Sequence, residues 1–365
     1  MKIVLTGAGG FLGWHLRCRL RALHDFEVVA IDRSTIDQLP AAMHDADAVI
    51  HVAGVNRASD EEVVAGNVAL AQAVANAIRD AGSTPHVVFA NSIQAGNGTP
   101  YGEGKKAAAA ILWQLAKDSG LEFVDVHLPN LFGEHGRPGY NSFIATFCHE
   151  LAAGRAPEAN DNVVELLHVQ EAAQILIKAL EGPSRIEKPR GEQHHVQAVL
   201  TLLQTFEELY RNGEIPDLSS TFATNLFNTY RAAAFELRGS ISFDKRSDPR
   251  GSLVEAVKVH GGGGQTFFST TVPGVTRGEH FHLRKIERFI VIGGTARIQL
   301  RKLFTDEIMN FDVTGDEPTA IDMPTMWTHN ITNTGDRELL TLFWTDSVFD
   351  PADPDTYAET VEATQ

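Results

Sequence analysis

Short apolar runs alternate with segments of helical periodicity from residue 1 to about residue 179. Such alternation is typical of βα units, which build a parallel sheet. Leu12, Leu16, Leu20 and Leu23 fall on one face of the first predicted helix. The pattern predicts strands at residues 2–6, 27–31, 48–52, 86–90 and 123–128.

The pattern changes at about Ser240. Alternating segments at 265–272, 288–292 and 296–300 are joined by Gly, Asp, Asn and Pro turns, which predicts an all-β domain. Before it, residues 181–190 are rich in helix breakers and residues 200–210 are predicted to be helical. The four glycines at 261–264 precede a strand and not a helix, which favours a flexible hairpin connection over a phosphate cradle.

With 365 residues, the chain is longer than one hydrophobic core usually serves, so we expect two domains, at 1–240 and 241–365. Acidic residues outnumber basic ones, 47 to 31, and the net charge of −16 argues against nucleic-acid and membrane partners. Cys18 and Cys148 form no metal or disulfide pattern. With no leader pattern and no apolar stretch of roughly 18 residues, we expect a cytoplasmic protein.

A glycine-rich turn follows the first predicted strand. Gly7, Gly10 and Gly13 are spaced G-x-x-G-x-x-G, and a predicted helix follows at once. Glycine lets the backbone turn tightly and approach a pyrophosphate, whose charge meets the helix N-terminus. The turn therefore predicts a dinucleotide site.

The second predicted strand ends at Asp32 and Arg33, where a ribose-recognising group belongs in such folds. An acidic side chain favours a free 2′-hydroxyl, whereas an arginine pairs with a 2′-phosphate. The two residues favour different coenzymes. Because Arg33 can also stack on adenine, we expect NADP(H), with NAD(H) as the alternative.

Ser92 follows the fourth predicted strand, and Tyr101 and Lys105 follow as Y-x-x-x-K. On a helix the two share a face, so the ammonium can lower the pKa of the phenol. In a ketone reduction, we expect Tyr101 to protonate the forming alkoxide while Ser92 hydrogen-bonds the carbonyl oxygen. The alternative is a surface Tyr and Lys one turn apart.

These motifs resemble those of the extended short-chain dehydrogenase/reductase family, and the resemblance covers roughly residues 1–240. It implies a doubly wound Rossmann sheet, NAD(P) at the glycine turn, and catalysis by Ser92, Tyr101 and Lys105. The segment HVAGVN, which contains Ala53 and Gly54, resembles the cofactor-lining segment of that family. Nucleotide sugars are the usual substrates of the extended subgroup, and residues 129–142 resemble the segment that shapes their pocket, with Arg137 as a diphosphate contact or a surface arginine.

Three histidines and a glutamate near the C-terminus have metal-ligand spacing. His280 and His282 share one side of a strand, Glu287 requires a turn at Arg284 and Lys285, and His329 would close the site from a later strand. This N3O set suits Zn, Mn, Fe or Ni, and we expect zinc.

The full pattern, G-x5-H-x-H-x4-E-x6-G followed by P-x4-H-x3-N, resembles the two motifs of the cupin family and implies a double-stranded β-barrel with a metal at its mouth. Met326 departs from it, because it stands where the second motif usually has glycine. A barrel that has lost its metal and only dimerises is the alternative.

The order of the two parts, and the tail FDPADPDTY, resemble the bifunctional capsular polysaccharide enzymes of the UDP-N-acetyl-L-fucosamine pathway. This resemblance implies that the cupin inverts C3 of a UDP-2-acetamido-2,6-dideoxy-4-hexulose and that the reductase then reduces C4 to the L-talose sugar. Lys285 is the candidate for proton transfer or enolate stabilisation, or else a solvated turn lysine. A single-activity reductase with a structural cupin and a non-catalytic NADP(H) sensor are the alternatives, and we expect a homodimer.

Overall fold

The structure, a computed structural model, describes residues 1–362. The chain divides into two compact units. The first unit comprises Met1–Leu131 and Val163–His194, and the second comprises Phe132–Asn162 and the chain from His195 onward.

Helices and strands alternate over the first two thirds of the chain. The first elements are β1 (Lys2–Thr6), α1 (Phe11–Leu23), β2 (Glu27–Ile31), α2 (Leu39–Ala42), β3 (Ala48–His51), α3 (Asp60–Ala81), β4 (His86–Ser92), α4 (Pro100–Ser119), β5 (Phe123–Leu128) and β6 (Asn130–Phe132). They are followed by α5 (Phe143–Ala152), β7 (Val163–His168), α6 (Val169–Lys178), β8 (Arg185–Glu187), β9 (Glu192–His195), α7 (Val196–Arg211) and α8 (Thr221–Arg238).

A six-stranded parallel sheet forms the centre of the first unit, in the order β2-β1-β3-β4-β5-β8. The strand order reverses beside β1, because β2 lies on one side of it and β3 on the other. In doubly wound folds such a reversal opens a crevice at the carboxyl ends of the strands, where ligands bind. The predicted doubly wound fold is confirmed.

Helices cover both faces of this sheet. One face packs Val4, Val49 and Phe89 against helices α3 and α4. The other face packs Ile3 and Val124, with their neighbours, against α1 and α6. Because both faces are buried, the strands are continuous apolar runs. Their positions could therefore be predicted closely from the sequence.

The remaining elements are all strands: β10 (Ile241–Ser242), β11 (Arg246–Asp248), β12 (Gly251–Leu253), β13 (Gln265–Thr271), β14 (Thr276–Phe281), β15 (Glu287–Gly293), β16 (Thr295–Lys302), β17 (Ile308–Thr314), β18 (Thr319–Met323), β19 (Trp327–Asn333), β20 (Leu339–Thr345) and β21 (Tyr357–Ala358). Two five-stranded antiparallel sheets result, β10-β18-β15-β20-β13 and β17-β16-β19-β14-β21. Their apolar side chains form one core, in which Phe289, Ile298 and Ile331 are buried. The predicted cupin-like β domain is confirmed.

Helices α5, α7 and α8 belong to the second unit, and Phe235 of α8 is part of the core of the β-sheets. The division between compact units therefore differs from a cut in the sequence at residue 240, and the predicted domain boundary stays a prediction. Both cysteines are buried thiols that form no disulfide. Among the described helices, none combines the length and the apolar character that a membrane span requires.

Candidate functional site

The turn after β1 needs glycine at two positions. Gly7 has φ +76°, and a Cβ there would lie 2.6 Å from the backbone nitrogen of Ala53, after β3. A Cβ at Gly13 would lie 2.1 Å from the carbonyl oxygen of Gly7. Gly10 is the N-cap of α1, with no side chain over the first amides of the helix. The turn thus fits a pyrophosphate approaching at the point where the strand order reverses.

Asp32 lies against this turn. Its carboxylate accepts hydrogen bonds from the Ser34 amide (2.8 Å) and hydroxyl (2.7 Å), and these bonds lower its pKa. A Cβ on Gly9 would lie 3.3 Å from Asp32 Oδ2. The neighbouring Arg33 is exposed. Both predicted ribose-recognising residues are therefore at the end of β2, and the geometry leaves the coenzyme preference as a prediction.

The loop after β3 is held by Asn67 of α3, a buried residue that the sequence analysis missed. Its side chain accepts from the Val55 amide (3.3 Å) and donates to the Val55 carbonyl (2.6 Å). A Cβ on Gly54 would lie 3.1 Å from Asn67 Oδ1. Ala53 and Gly54 are thereby fixed beside the glycine turn. The fit of these backbones supports the predicted nicotinamide cofactor.

Ser92 is the last residue of β4, and Tyr101 lies in the first turn of α4. Burial raises the pKa of the Tyr101 phenol, and a hydrogen bond with Ser92 opposes this shift. The structure thus brings together the two groups that the sequence assigned to one carbonyl oxygen. A phenol with a raised pKa stays protonated at neutral pH and can act as a proton donor.

Lys105 takes an unexpected position. It is 3% exposed, and its ammonium donates to the Ala90 carbonyl (2.6 Å) and lies 4.1 Å from the centre of the Phe89 ring. Burial lowers the pKa of Lys105 to about 7. The Y-x-x-x-K spacing predicted that this ammonium lowers the pKa of Tyr101. A hydrogen bond with Ser92 lowers that pKa instead, and burial of the phenol outweighs its effect.

Polar side chains on β4 and β5 form a buried hydrogen-bonded network. Asn91 donates to Asp125 Oδ1 (2.8 Å), and His127 Nε2 lies 3.1 Å from Asp125 Oδ2. The charge of Asp125 favours the ammonium form of Lys105. Asp125 was not predicted from the sequence, although a carboxylate within a buried apolar strand was a usable signal.

In the second unit, the three histidines and the glutamate converge. His282 Nε2 lies 3.0 Å from Glu287 Oε2, His329 Nε2 lies 3.3 Å from it, and His280 Nε2 lies 3.9 Å from it. All four ligand atoms lie within 4.8 Å of one another. Burial opposes ionisation of Glu287, yet the imidazoles hold its pKa well below the ordinary value.

The side chains fit a metal ion. His282 Nδ1 lies 2.6 Å from the Asp355 carbonyl oxygen, which accepts its proton and leaves Nε2 as a ligand. The Nε2 atom of His329 is buried, and its 3.3 Å contact with Glu287 Oε2 lacks the alignment of a hydrogen bond, so its lone pair is available to a metal. Three imidazole nitrogens and one carboxylate oxygen form a donor set that suits divalent transition metals.

An irregularity in β14 sets the direction of the candidate metal ligands. The register of β14 and β19 shifts between Gly278 and His280, and Glu279 has φ +60°. Such a bulge turns a side chain into a new direction. A Cβ on Gly278 would lie 2.8 Å from the His329 carbonyl oxygen, so the two strands approach only because this residue is glycine. Met326 has φ +61°, the conformation for which the motif usually supplies glycine.

A cavity of about 350 Å³ adjoins the cluster and is bordered by Glu287, Lys285 and the tail around Asp355. The Lys285 ammonium donates to Thr356 Oγ1 (3.0 Å) and to the Pro354 carbonyl (3.3 Å). Arg137, the predicted diphosphate contact, lies with its guanidinium 5.3 Å from the centre of the Tyr140 ring.

Comparison with known proteins assigns both parts of the chain. Residues 3–196 match the NAD dependent epimerase/dehydratase family, and residues 246–357 match the polysaccharide biosynthesis C-terminal domain. The UDP-2-acetamido-2,6-beta-L-arabino-hexul-4-ose reductase of Pseudomonas aeruginosa is 35% identical over 370 residues, covering 98% of each chain.

Solved structures give the same assignment. The capsular polysaccharide assembling protein CapF from Staphylococcus aureus is 33% identical, with a TM-score of 0.65 over 99% of this chain and 100% of that chain. RMD from Pseudomonas aeruginosa, complexed with NADPH, is 19% identical, with a TM-score of 0.51 over 57% of this chain and 85% of that one. The second similarity shows a shared fold.

Proposed function

Because the chain belongs to the NAD dependent epimerase/dehydratase family and ends in a polysaccharide biosynthesis C-terminal domain, we propose that it performs two consecutive reactions on one sugar nucleotide. The second unit inverts C3 of a UDP-2-acetamido-2,6-dideoxy-4-hexulose. The first unit then reduces the C4 ketone to the UDP-2-acetamido-2,6-dideoxy-L-talose product for capsule or O-antigen L-fucosamine synthesis.

One observation supports this proposal above the others. The same chain contains a Ser-Tyr-Lys set in its doubly wound unit and a His-His-Glu-His cluster beside a cavity in its β unit. A relative that matches 98% of the chain is a reductase of a UDP-linked hexul-4-ose. Two sites and one ketone substrate are best explained by chemistry at the ketone and at the carbon beside it.

Reduction uses the site in the first unit. A nicotinamide cofactor bound along the glycine turn would supply the hydride to C4, and we propose NADPH because Arg33 can pair with a 2′-phosphate. Ser92 donates a hydrogen bond to the carbonyl oxygen, and Tyr101 gives its proton to that oxygen as the C–O π bond opens. Lys105 in its ammonium form would hold the nicotinamide ribose.

Epimerisation uses the site in the second unit. The C3–H bond breaks, its proton passes to a base, and its electron pair passes to the C4 oxygen as an enolate; a proton then returns to the opposite face of C3. His280, His282, Glu287 and His329 would hold a divalent metal, which we propose to be zinc and which would supply Lewis acidity when bound. Lys285 is the candidate for proton transfer, because it borders the same cavity as Glu287.

The order of the steps follows from the chemistry. A proton on C3 is acidic only while C4 is a ketone, because the enolate needs the carbonyl group. Reduction at C4 removes that acidity and prevents the inverted sugar from reverting. Epimerisation must therefore precede reduction.

To test the two reactions, the 4-keto sugar nucleotide is added to the zinc-loaded protein in deuterated water, with and without NADPH. We expect deuterium at C3 without reductant, followed by the C4 alcohol when NADPH is added. Tyr101→Phe should abolish NADPH oxidation and leave the exchange intact. His280→Ala should abolish the exchange.

Other outcomes would identify a different function. Exchange that survives His280→Ala would show that epimerisation does not use the histidine cluster. NADPH oxidation without exchange in the wild type would make the β domain structural and the protein a reductase alone. Absence of both exchange and NADPH oxidation would favour a protein that binds the cofactor without turnover.

A further inference from the structure

The tail segment Pro354–Asp355–Thr356 precedes β21, which pairs with β14 beside the metal ligand His280. Asp355 is 3% exposed, although it lies in a segment without regular secondary structure. A buried carboxylate requires hydrogen-bond donors. The identity of those donors shows what the tail does.

Three consecutive backbone amides donate to the Asp355 carboxylate. Leu283 N lies 3.1 Å from Oδ1, and Arg284 N and Lys285 N lie 3.0 and 2.7 Å from Oδ2. These amides form the turn between the metal ligands His282 and Glu287. Hydrogen bonds to an ionised acceptor are roughly twice as strong as neutral ones, so the carboxylate fixes the shape of this turn.

The main chain of the same residue orients a ligand. The Asp355 carbonyl accepts from His282 Nδ1 at 2.6 Å, which sets the tautomer and turns Nε2 toward Glu287. Asp355 has φ +44°, an uncommon value for a residue with a side chain. Such backbone strain persists only where several contacts determine the conformation, and it is concentrated at functional sites.

The flanking residues contact Lys285. Its ammonium donates to Thr356 Oγ1 and to the Pro354 carbonyl, at 3.0 and 3.3 Å. The three tail residues therefore hold a metal ligand on one side and the candidate proton-transfer group on the other. Both groups adjoin the cavity that Glu287 borders.

We propose that Asp355 is the positioning residue of this centre, and that the tail segment Pro354–Asp355–Thr356 couples metal binding to the placement of Lys285. The part that concerns Lys285 rests on the proposed epimerase function. The part that concerns the metal rests only on the contacts of Asp355.

The first test measures zinc affinity of the full chain by competition with a chromogenic chelator. Asp355→Asn keeps the size of the side chain and removes its charge, and we expect affinity to fall by about 10- to 100-fold, as for other groups that orient metal ligands. The matched control is Asp353→Asn, because the Asp353 side chain is 60% exposed and its carboxylate bonds only the Arg284 side chain among the described residues. Its affinity should stay at the wild-type value. Wild-type affinity in Asp355→Asn would overturn the proposal.

A second variant covers the case in which Asp355→Asn fails to fold. Asp355→Gly accepts the positive φ without strain and lacks the carboxylate, so it should also bind zinc more weakly. Circular dichroism and thermal unfolding of the full chain report whether the β domain of each variant is folded. Wild-type zinc affinity in Asp355→Gly would show that the carboxylate has no positioning role.

The third measurement is deuterium exchange at C3 with saturating zinc. If wild type exchanges, Asp355→Asn should exchange more slowly even when fully loaded, because Lys285 loses its placement. Equal rates in the two proteins would overturn the coupling. Failure of the wild type to exchange would instead contradict the epimerase function and leave the zinc result as the test of Asp355.

Discussion

Lys105 should make the proposed reductase site sensitive to pH. Burial lowers its pKa to about 7, and the proposed mechanism needs its ammonium form. Tyr101 stays protonated in the same range because its pKa is raised. We therefore expect kcat/KM for reduction to be highest below pH 7 and to fall as pH rises through about 7. NADPH oxidation with a substrate already inverted at C3 measures this without interference from epimerisation.

The Asp125→Asn variant is the control for this prediction. The negative charge of Asp125 favours the ammonium form of Lys105, so its removal should move the decline of kcat/KM to lower pH. A rate that stays constant through neutral and alkaline pH in the wild type would contradict the assignment. A decline at the same pH in both proteins would assign it to another group.

The lowered pKa of Lys105 also makes the stability of the folded protein depend on pH, and this dependence runs opposite to that of kcat/KM. The pKa of Lys105 is about 7 in the folded protein, against an ordinary value of 10.5, so the unfolded chain binds more protons between these values. Stability contributed by Lys105 should therefore rise from pH 7 to 10.5. Thermal unfolding should show this increase in wild type relative to Lys105→Met, and a constant difference between the two would contradict it.

The turn between β1 and α1 depends on the absence of a side chain. A Cβ at Gly13 would lie 2.1 Å from the Gly7 carbonyl oxygen, so Gly13→Ala must displace the turn. We expect a cost of at least ~1–3 kcal/mol and a marked loss of NADPH affinity, measured by fluorescence titration. Gly263→Ala is the matched control, because its nearest heavy atom would be 3.8 Å away. Equal affinity in the two variants would contradict a cofactor site at this turn.

Strands β15 and β18 share a buried ion pair. Arg288 and Asp322 face each other in the register, are 0% and 2% exposed, and form two bonds of 2.7 and 2.8 Å. Removing one partner leaves a buried charge, so Asp322→Asn should lower the free energy of unfolding by about 3–5 kcal/mol. Denaturant unfolding measures this.

An exposed pair of the same geometry serves as the comparison. Arg297 and Asp312 pair across β16 and β17 at 2.8 and 3.2 Å, with side chains 49% and 70% exposed. Solvent screens such pairs, and Asp312→Asn should cost less than about 1 kcal/mol. Similar losses in the two variants would show that burial does not determine the stabilisation by Arg288.

Across the whole molecule, the features that depend on residues close together in the chain were the ones that could be predicted from the sequence. The strands at 2–6 and 123–128 were predicted with the bounds that the structure has, because strands buried on both faces are unbroken apolar runs. The convergence of His280, His282, Glu287 and His329 was predicted from their spacing, because one strand, one turn and one later strand are sufficient to bring them together. Their role as metal ligands stays a prediction.

Long-range contacts could not be predicted in this way. The Asp355 carbonyl contacts the His282 imidazole, although the two residues are 73 positions apart in the sequence. No sequence periodicity connects them. Helix α8 lies before the β-strands in sequence, yet its Phe235 joins their core. The bond from Lys105 to the Ala90 carbonyl depends on burial between β4 and α4, which Y-x-x-x-K spacing does not reveal.

Two separate sites in one chain predict complementation between variants. Tyr101→Phe should retain epimerisation and lose reduction, and His280→Ala should retain reduction and lose epimerisation. The inverted 4-keto sugar nucleotide is a small molecule that can leave one site and enter the other. A mixture of the two variants should therefore convert substrate fully to the alcohol after a lag that shortens as protein concentration rises, as measured by NADPH oxidation.

Mixing either variant with the double variant restores nothing, because one activity stays missing. A mixture of the single variants that also fails to turn over would mean that both steps require one intact chain, so that the inverted sugar is never released between them.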